Sequence, residues 1–131
     1  MYTSTSTVYN YCMELANRDA EERPWGSFER FTLNELSTVK ILTLLPDKKL
    51  SLQSHANRDE FWKIIDGSGS VVLGGEEKPA RTGDEFFAER GSTHRAVSGP
   101  AGMRILEIAL GTFDEHDEIR LADDYGRTDA Q

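Results

Sequence analysis

The chain has 131 residues, a formal net charge of −8 and a single cysteine. This length suits one domain, and one cysteine excludes an intramolecular disulfide, so we expect a reducing, cytoplasmic location. The acidic excess argues against a nucleic-acid partner, and no apolar run approaches the ~20 residues of a membrane span. The first residues have neither the basic nor the apolar region of a secretory signal.

Residues 1–22 differ from the rest of the chain, because they are rich in Thr, Ser, Asn and Glu and lack strand alternation. We therefore expect an N-terminal extension over residues 1–22 and one domain over residues 23–131. A short helix around residues 13–20, a strap over the domain, or a partly ordered tail would each fit this composition.

Short apolar and β-branched runs alternate with turn residues from residue 23 onward. The turns recur about every ten residues and no long stretch has helical periodicity, which predicts an all-β sandwich or barrel. The predicted strands are residues 28–33, 39–45, 50–54, 60–65, 70–73, 85–88, 94–97 and 104–110. The acidic segment from Thr112 onward is predicted to be a tail.

Two polar clusters within this strand pattern predict a metal site. Gln53 and His55 are two residues apart, so on a strand their side chains point to one face. Glu60 begins the next apolar run, and His94 follows a glycine-containing turn. Two imidazoles, a carboxylate and an amide oxygen suit one divalent ion: zinc, nickel, cobalt, manganese or iron. Structural histidines, with metal bound weakly, are the alternative.

The spacing of these residues resembles the two motifs of the cupin family. The matching positions are Gln53 (in place of a histidine), His55, Glu60 and Gly67, then Gly83, Gly91 and His94. Asp47, Glu89 and Ser98 depart from the glycine, proline and asparagine of the family pattern. The resemblance implies a single-domain cupin, a double-stranded β-helix or jelly roll, whose four ligands bind one ion, with zinc expected first.

Five further pieces of the chain narrow the resemblance. They are Arg23-Pro24-Trp25-Gly26, Lys40, residues 50–62, His94-Arg95, and Asp123 with Tyr125-Gly126-Arg127. They are similar to the C-terminal cupin domain of type II phosphomannose isomerases, the bifunctional mannose-6-phosphate isomerase and mannose-1-phosphate guanylyltransferase family. Phe61 departs from the family's usual histidine. The 131 residues leave no room for a nucleotidyltransferase domain, so we expect a stand-alone cupin with only the isomerase activity.

The resemblance implies interconversion of mannose 6-phosphate and fructose 6-phosphate, with this sugar phosphate as the small-molecule partner. Such a reaction needs a cation at the sugar oxygens, a base for the carbon-bound proton and a basic group for the phosphate. Arg58 is the implied catalytic or phosphate-contacting residue; a surface salt bridge to Asp59 or Glu60 is the alternative. Strand alternation could turn Glu107 inward as the base or as a partner of a metal ligand.

Lys40, Arg95 and Arg127 are candidate phosphate-binding residues, with plain surface charge as the alternative. Two other functions stay open: a non-catalytic sugar or sugar-phosphate binding cupin, which Phe61 favours, and a metal oxygenase, against which Gln53 argues. We expect no nucleic-acid or membrane partner. We do expect a homodimer, because small barrels of this kind commonly pair through strand edges that would otherwise stay unprotected.

Overall fold

The computed structural model of the chain describes residues 3–4 and 15–127. Its strands are β1 Thr3–Ser4, β2 Asp19–Arg23, β3 Gly26–Arg30, β4 Ser37–Leu44, β5 Leu52–Ser54, β6 Arg58–Leu73, β7 Glu76–Arg81, β8 Glu85–Ala88, β9 His94–Gly111 and β10 Ile119–Ala122. The chain divides into two compact units, Met1–Leu36 and Ser37–Gln131. Among the described residues, no helix has the length and apolar character that crossing a membrane requires.

The first unit is a three-stranded antiparallel sheet in the order β1-β2-β3. Asp19 lies opposite Arg30 in the β2–β3 hairpin, and such opposite charges stabilise a cross-strand pair. The helix considered around residues 13–20 is wrong for its described part, because residues 15–18 are coil and turn and β2 starts at Asp19. Residues 13–14 lie outside the described residues. The predicted domain boundary after residue 22 falls within β2.

The second unit contains two long antiparallel strands, β6 and β9, which pair with each other along two separate ladders. Residues 58–64 of β6 pair with residues 105–111 of β9, and residues 69–73 pair with residues 94–98. Strands β8 and β4 flank the first ladder, whereas β7 and the pair β5-β10 flank the second. Each long strand thus contributes to two sheets, which is the topology of a double-stranded β-helix. The predicted all-β jelly roll is confirmed.

Four of the predicted strands are halves of β6 and β9. The runs 60–65 and 70–73 join through register shifts near Gly67, and the runs 94–97 and 104–110 join near Gly102. Both glycines have φ of +77°, a left-handed conformation that costs other residues energy. The turn signals therefore mark bends within continuous strands, where β-bulges commonly occur, and not breaks between strands.

The sequence analysis missed β1, β2, β7 and β10, which are two to six residues long. Strand β7 has the sequence EEKPAR and pairs only with β6 among the described residues, so it is an edge strand. A proline is tolerated at such an edge because its missing N–H can face away from the ladder. Because its charged residues and Pro79 leave this segment without apolar alternation, the sequence did not predict a strand there.

The core lies between the two sheets and is formed by the inward-facing residues of both long strands. Trp62, Ile64, Val71 and Ile105 are each no more than 1% exposed. Burial of such a side chain stabilises the fold by about 1.5–3 kcal/mol. Alternation along β6 places Glu60 on the same face as Trp62. The Glu60 carboxylate therefore lies in the interior next to this core.

Replacing Gly69 by alanine tests the close approach of β6 and β9. A Cβ at Gly69 would lie 2.0 Å from the carbonyl oxygen of Val97, whereas a Cβ at Gly74 meets nothing within 4 Å. We expect Gly69→Ala to lower the free energy of unfolding by about 3 kcal/mol, and Gly74→Ala, at a φ of +56°, by about 1 kcal/mol through backbone strain alone. Urea denaturation measures both; equal losses would contradict the close approach.

Candidate metal centre

Three ligand-type side chains from separate strands meet inside the second unit. His55 directly follows β5, Glu60 lies near the start of β6, and His94 opens β9. All three are buried, and their candidate ligand atoms lie within 4.8 Å of one another. The Nε2 atom of His55 is 3.3 Å from Glu60 Oε2, and His94 Nε2 is 3.2 Å from Glu60 Oε1.

The hydrogen bonds of the two histidines fix which ring nitrogen faces the centre. His55 Nδ1 is 2.8 Å from the carbonyl oxygen of Asp117, and His94 Nδ1 is 3.2 Å from that of Ser92. A carbonyl oxygen can only accept, so each Nδ1 carries a proton, and in the neutral ring each Nε2 presents a lone pair. In the neutral rings, both Nε2 lone pairs therefore point at the Glu60 carboxylate.

Two atoms at this centre are buried without a hydrogen-bond partner, Glu60 Oε1 and His94 Nε2. Buried polar atoms are almost always paired, so this pair needs either a proton on His94 Nε2 or a cation that both atoms hold. Two imidazoles and a carboxylate form a mixed nitrogen and oxygen donor set that suits a divalent transition metal. The residues present fit a metal ion, and the structure does not define which ion.

The electrostatics of the centre favour the protonation states that bind metal. Burial lowers the pKa of His55 below its ordinary value, so its imidazole is neutral at neutral pH. Burial on its own would raise the pKa of Glu60, but His94, His55 and Arg58 outweigh that effect and lower it. A neutral imidazole beside an ionised carboxylate is the state that a metal ion requires.

Arg58 lies against the metal centre and not at the surface. It is only 4% exposed, its Nε donates to Glu60 Oε2 at 3.0 Å, and its Nη2 is 3.4 Å from His55 Nε2. The alternative of a salt bridge with Glu60 describes one of these contacts, but the pair is buried. Since Arg58 holds Oε2 in a charge-assisted hydrogen bond, Oε1 is the carboxylate oxygen available to a metal.

Gln53, the fourth predicted ligand, lies directly opposite His94 in the β5–β9 ladder. Its Oε1 accepts a hydrogen bond from Ser51 Oγ at 2.9 Å, and the residue lines the cavity beside the centre. The amide is therefore close to the centre with its oxygen already engaged. Its role as a ligand stays a prediction.

A cavity of about 200 Å³ adjoins the metal centre. Charged residues of both signs line it: Lys40, Arg58, Arg120 and Arg127 with Glu60, Glu107, Glu115 and Glu118. A polar ligand that carries its own negative charge suits such a lining, because it can replace a protein carboxylate on one of the cations.

Two of the three predicted phosphate-binding residues reach this cavity. Lys40 lines it and is 3.2 Å from Glu115, with Nζ 4.2 Å from the centre of the Phe113 ring. Arg127 also lines it and donates through Nε and Nη2 to the Asp123 carboxylate. Each cation thus has an exchangeable carboxylate partner.

Arg95, the third of these residues, is not among the residues that line the cavity. Its Nε donates to the carbonyl oxygen of Leu50 at 3.0 Å and its Nη2 to that of Ala122 at 3.3 Å. The guanidinium joins the backbones before β5 and at the end of β10 to β9. The structure gives it a bracing position within the second unit.

Glu107 lines the cavity, is buried, and lies directly opposite Trp62 in the β6–β9 ladder. Trp62 Nε1 donates to Glu107 Oε2 at 3.0 Å. Burial, followed by the negative charge of Glu60, raises the pKa of Glu107 to about 7, although the Trp62 hydrogen bond opposes the rise. A carboxyl group that titrates near neutral pH can both accept and return a proton.

The segment after β9 contributes two residues that the sequence analysis treated as a tail. Asp117 accepts hydrogen bonds from the backbone N–H groups of Ala56 and Asn57, both at 2.9 Å. Phe113 has the Arg58 guanidinium 4.3 Å and Lys40 Nζ 4.2 Å from its ring centre. The acidic composition gave no sign of these contacts; one aromatic residue among acids was the only local signal.

Phe61, the departure from the family's usual histidine, faces away from the cavity. Alternation along β6 puts it on the opposite face from Glu60 and Trp62, and its ladder partners are Phe87 and Ile108. It is 1% exposed and does not line the cavity. The substitution therefore removes no polar group from the cavity wall.

The chain is similar to known sequences over most of its length. A family model described as mannose-6-phosphate isomerase C-terminal matches residues 13–124. ManC of Salmonella typhimurium, a mannose-1-phosphate guanylyltransferase, is 32% identical over 107 residues, 80% of this chain and 22% of ManC. AlgA of Pseudomonas aeruginosa, an alginate biosynthesis protein, is 32% identical over 117 residues, 88% of this chain and 24% of AlgA. The chain thus spans about a quarter of these curated relatives.

Solved structures with the same fold have lower sequence identity. A Klebsiella pneumoniae protein with a double-stranded β-helix domain matches with a TM-score of 0.54 and 22% identity, covering 57% of this chain and 67% of that one. KdgF from a Halomonas species matches with a TM-score of 0.56 and 16% identity, covering 66% and 78%. Both likenesses support the cupin jelly roll.

Replacing one histidine of the cluster tests whether the centre binds metal. We expect His94→Ala to weaken zinc or cobalt binding at least about 100-fold, because the buried donor set loses an imidazole. The matched control is His116→Ala, since His116 is exposed and outside the cluster. Titration of metal-stripped protein by calorimetry measures both, and equal affinities in the two variants would contradict the site.

Glu107 makes stability depend on pH in a defined direction. Its pKa of about 7 in the folded chain exceeds the ordinary value of 4.5, so its favourable contribution is complete below pH 4.5 and is lost as pH rises through 7. Glu107→Gln should therefore stabilise the metal-free protein by about 3 kcal/mol more at pH 8 than at pH 4.

Urea denaturation at the two pH values, with a chelator present, measures this difference. The matched control is Glu115→Gln, because the Glu115 side chain is 74% exposed and should change little with pH. A Glu107→Gln effect that is the same at both pH values would show that the carboxyl group titrates normally.

Proposed function

This chain belongs to the mannose-6-phosphate isomerase C-terminal family, and we propose that its jelly roll is a metal-dependent aldose–ketose isomerase acting on mannose 6-phosphate and fructose 6-phosphate. The observation that carries the proposal is that two carboxyl groups line one cavity. One is Glu60 of the buried His55–Glu60–His94 cluster, and the other is Glu107, whose pKa is raised to about 7.

The metal would be held by His55, by Glu60 through Oε1, and by His94, with Gln53 as the fourth expected ligand. When bound, it would act as a Lewis acid that polarises the two sugar oxygens at C1 and C2. A net charge near +1 is left on the site because only one ligand is ionised. Zinc is our first expectation for the ion.

Glu107 is the proposed base. In the direction from mannose to fructose, its carboxylate would take the proton from C2 and return it to C1, while a proton moves from the C2 hydroxyl group to the C1 oxygen. In the metal-free protein, burial and Glu60 raise the pKa of Glu107 to about 7, and a divalent cation nearby would lower it toward the ionised form that a base requires. The Trp62 hydrogen bond holds the carboxylate in place.

Arg58 and Lys40 supply positive charge to the same cavity. Arg58 is buried and permanently charged, so it would stabilise negative charge that develops on the sugar oxygens. Lys40 and Arg127 are the proposed phosphate-binding residues, and the substrate phosphate would replace the Glu115 and Asp123 carboxylates on them. Arg95 has no part in the proposal, because its guanidinium bonds to backbone carbonyls.

Phe61 no longer favours the alternative of a non-catalytic sugar-binding cupin. The residue faces away from the cavity, so the proposed chemistry does not involve the position where the family usually has histidine. The expected homodimer and cytoplasmic location remain predictions. Guanylyltransferase activity is not proposed for these residues.

A coupled assay for fructose 6-phosphate tests the proposal. Metal-stripped protein would be reloaded with zinc, cobalt, nickel or manganese and given mannose 6-phosphate. We expect metal-dependent turnover that falls by about 10²–10⁴ in Glu107→Gln while metal affinity is retained. His94→Ala should lose both turnover and metal binding, and His116→Ala should lose neither.

Two results would contradict the proposal in different ways. Full activity in Glu107→Gln would remove Glu107 as the base while leaving the reaction in place. No turnover with any metal, despite a filled site, would overturn isomerisation of this substrate. Calorimetric binding of mannose 6-phosphate to the filled site would then indicate the non-catalytic sugar-phosphate cupin.

A further inference from the structure

The two histidines of the metal centre are oriented by carbonyl groups of very different origin. His94 Nδ1 donates to Ser92, two residues earlier in the same turn. His55 Nδ1 donates to Asp117, which is 62 residues away in the sequence. The orientation of His94 is therefore local, whereas that of His55 depends on how the chain returns after β9.

The segment of residues 112–118, which we call the strap, makes this return between β9 and β10. It bonds to four consecutive residues, 55–58. Asp117 contacts all four, with Arg58 Nη1 at 3.5 Å from its carbonyl oxygen, and the carbonyl oxygen of Asp114 accepts from Arg58 Nη1 at 3.1 Å. Phe113 adds a cation–π contact to Arg58. The strap is thus fastened to the stretch that contains one proposed metal ligand and the neighbouring guanidinium.

Asp117 uses every acceptor atom that it has in this contact. Oδ1 accepts from the Ala56 N–H, Oδ2 accepts from the Asn57 N–H, and the backbone oxygen accepts from His55 Nδ1, at 2.9, 2.9 and 2.8 Å. These three hydrogen bonds fasten the turn at residues 55–57 to the strap.

We propose that Asp117 is a positioning residue of the metal centre: its carboxylate holds residues 56 and 57, so that its carbonyl oxygen accepts a hydrogen bond from the Nδ1–H of His55 and leaves Nε2 as the ligand atom. The proposal rests on the proposed function, because it assumes that the cluster binds metal. Neutral histidine has two tautomers, and only the one protonated at Nδ1 presents an Nε2 lone pair to Glu60.

Two measurements on the full chain test the role of Asp117. The first is zinc affinity of metal-stripped protein, measured by competition with a chromophoric chelator. Asp117→Ala keeps the carbonyl group but removes the carboxylate that positions it. We therefore expect a loss of zinc affinity of about 10-fold, the lower end of the about 10–100-fold that losing an outer partner of a ligating histidine costs. Asp117→Asn keeps one side-chain acceptor and should show a smaller loss.

The second measurement is the tautomer of His55, read from the ring nitrogen shifts in the NMR spectrum of metal-free protein labelled with ¹⁵N-histidine. In the unsubstituted protein we expect a single form protonated at Nδ1, and in Asp117→Ala a mixture of the two tautomers. A residue that only stabilises the turn would lower thermal stability without changing this signature. The matched control is Asp124→Asn, which removes the same charge from an exposed carboxylate paired with Lys49.

The results separate this inference from the proposed function. Unchanged zinc affinity and a single tautomer in Asp117→Ala would overturn the inference, as would an equal affinity loss in Asp124→Asn. If the unsubstituted protein binds no zinc, the proposed function fails, and the metal-free spectra still decide whether Asp117 orients His55. If Asp117→Ala does not fold, Asp117→Asn decides, because a tautomer and an affinity both unchanged there would overturn the inference.

Discussion

The buried carboxylate of Glu60 is the constraint around which the second unit is organised. Taking an ionised group out of water costs several kcal/mol unless charges and hydrogen bonds compensate. Arg58 compensates at one oxygen at 3.0 Å, and the two histidines lie within 3.3 Å of the carboxylate. Because these partners come from the ends of β5, β6 and β9, the charge is compensated only when the three strands are in register.

The acidic stretch between β9 and β10 completes this arrangement. Its carbonyl groups accept from His55 and Arg58, its Asp117 carboxylate caps two backbone N–H groups, and its Phe113 ring lies beside two cations. This net negative segment therefore lies against two cations of the cavity lining, Arg58 and Lys40. Lys40 is also one of the two proposed phosphate-binding residues.

Strand alternation explains why much of the site was predictable. Residues two apart share a face, so Gln53 with His55, and Glu60 with Trp62, could be assigned from spacing. The same rule puts Phe61 on the other face once Glu60 is inside. Glycine and proline were less informative, because Gly67 and Gly102 bend continuous strands and Pro79 lies in an edge strand.

The sequence by itself determined the all-β class, the jelly roll through its motif spacing, and the residue types that gather at the centre. These features depend on local periodicity and on short motifs, which a single chain displays directly. Only the tertiary structure decided that Arg58 is buried against Glu60, that Arg95 braces backbones, and that Asp117 orients His55. Those contacts join segments far apart in the chain, so they follow from ladder register and the return of the strap, which no local pattern encodes.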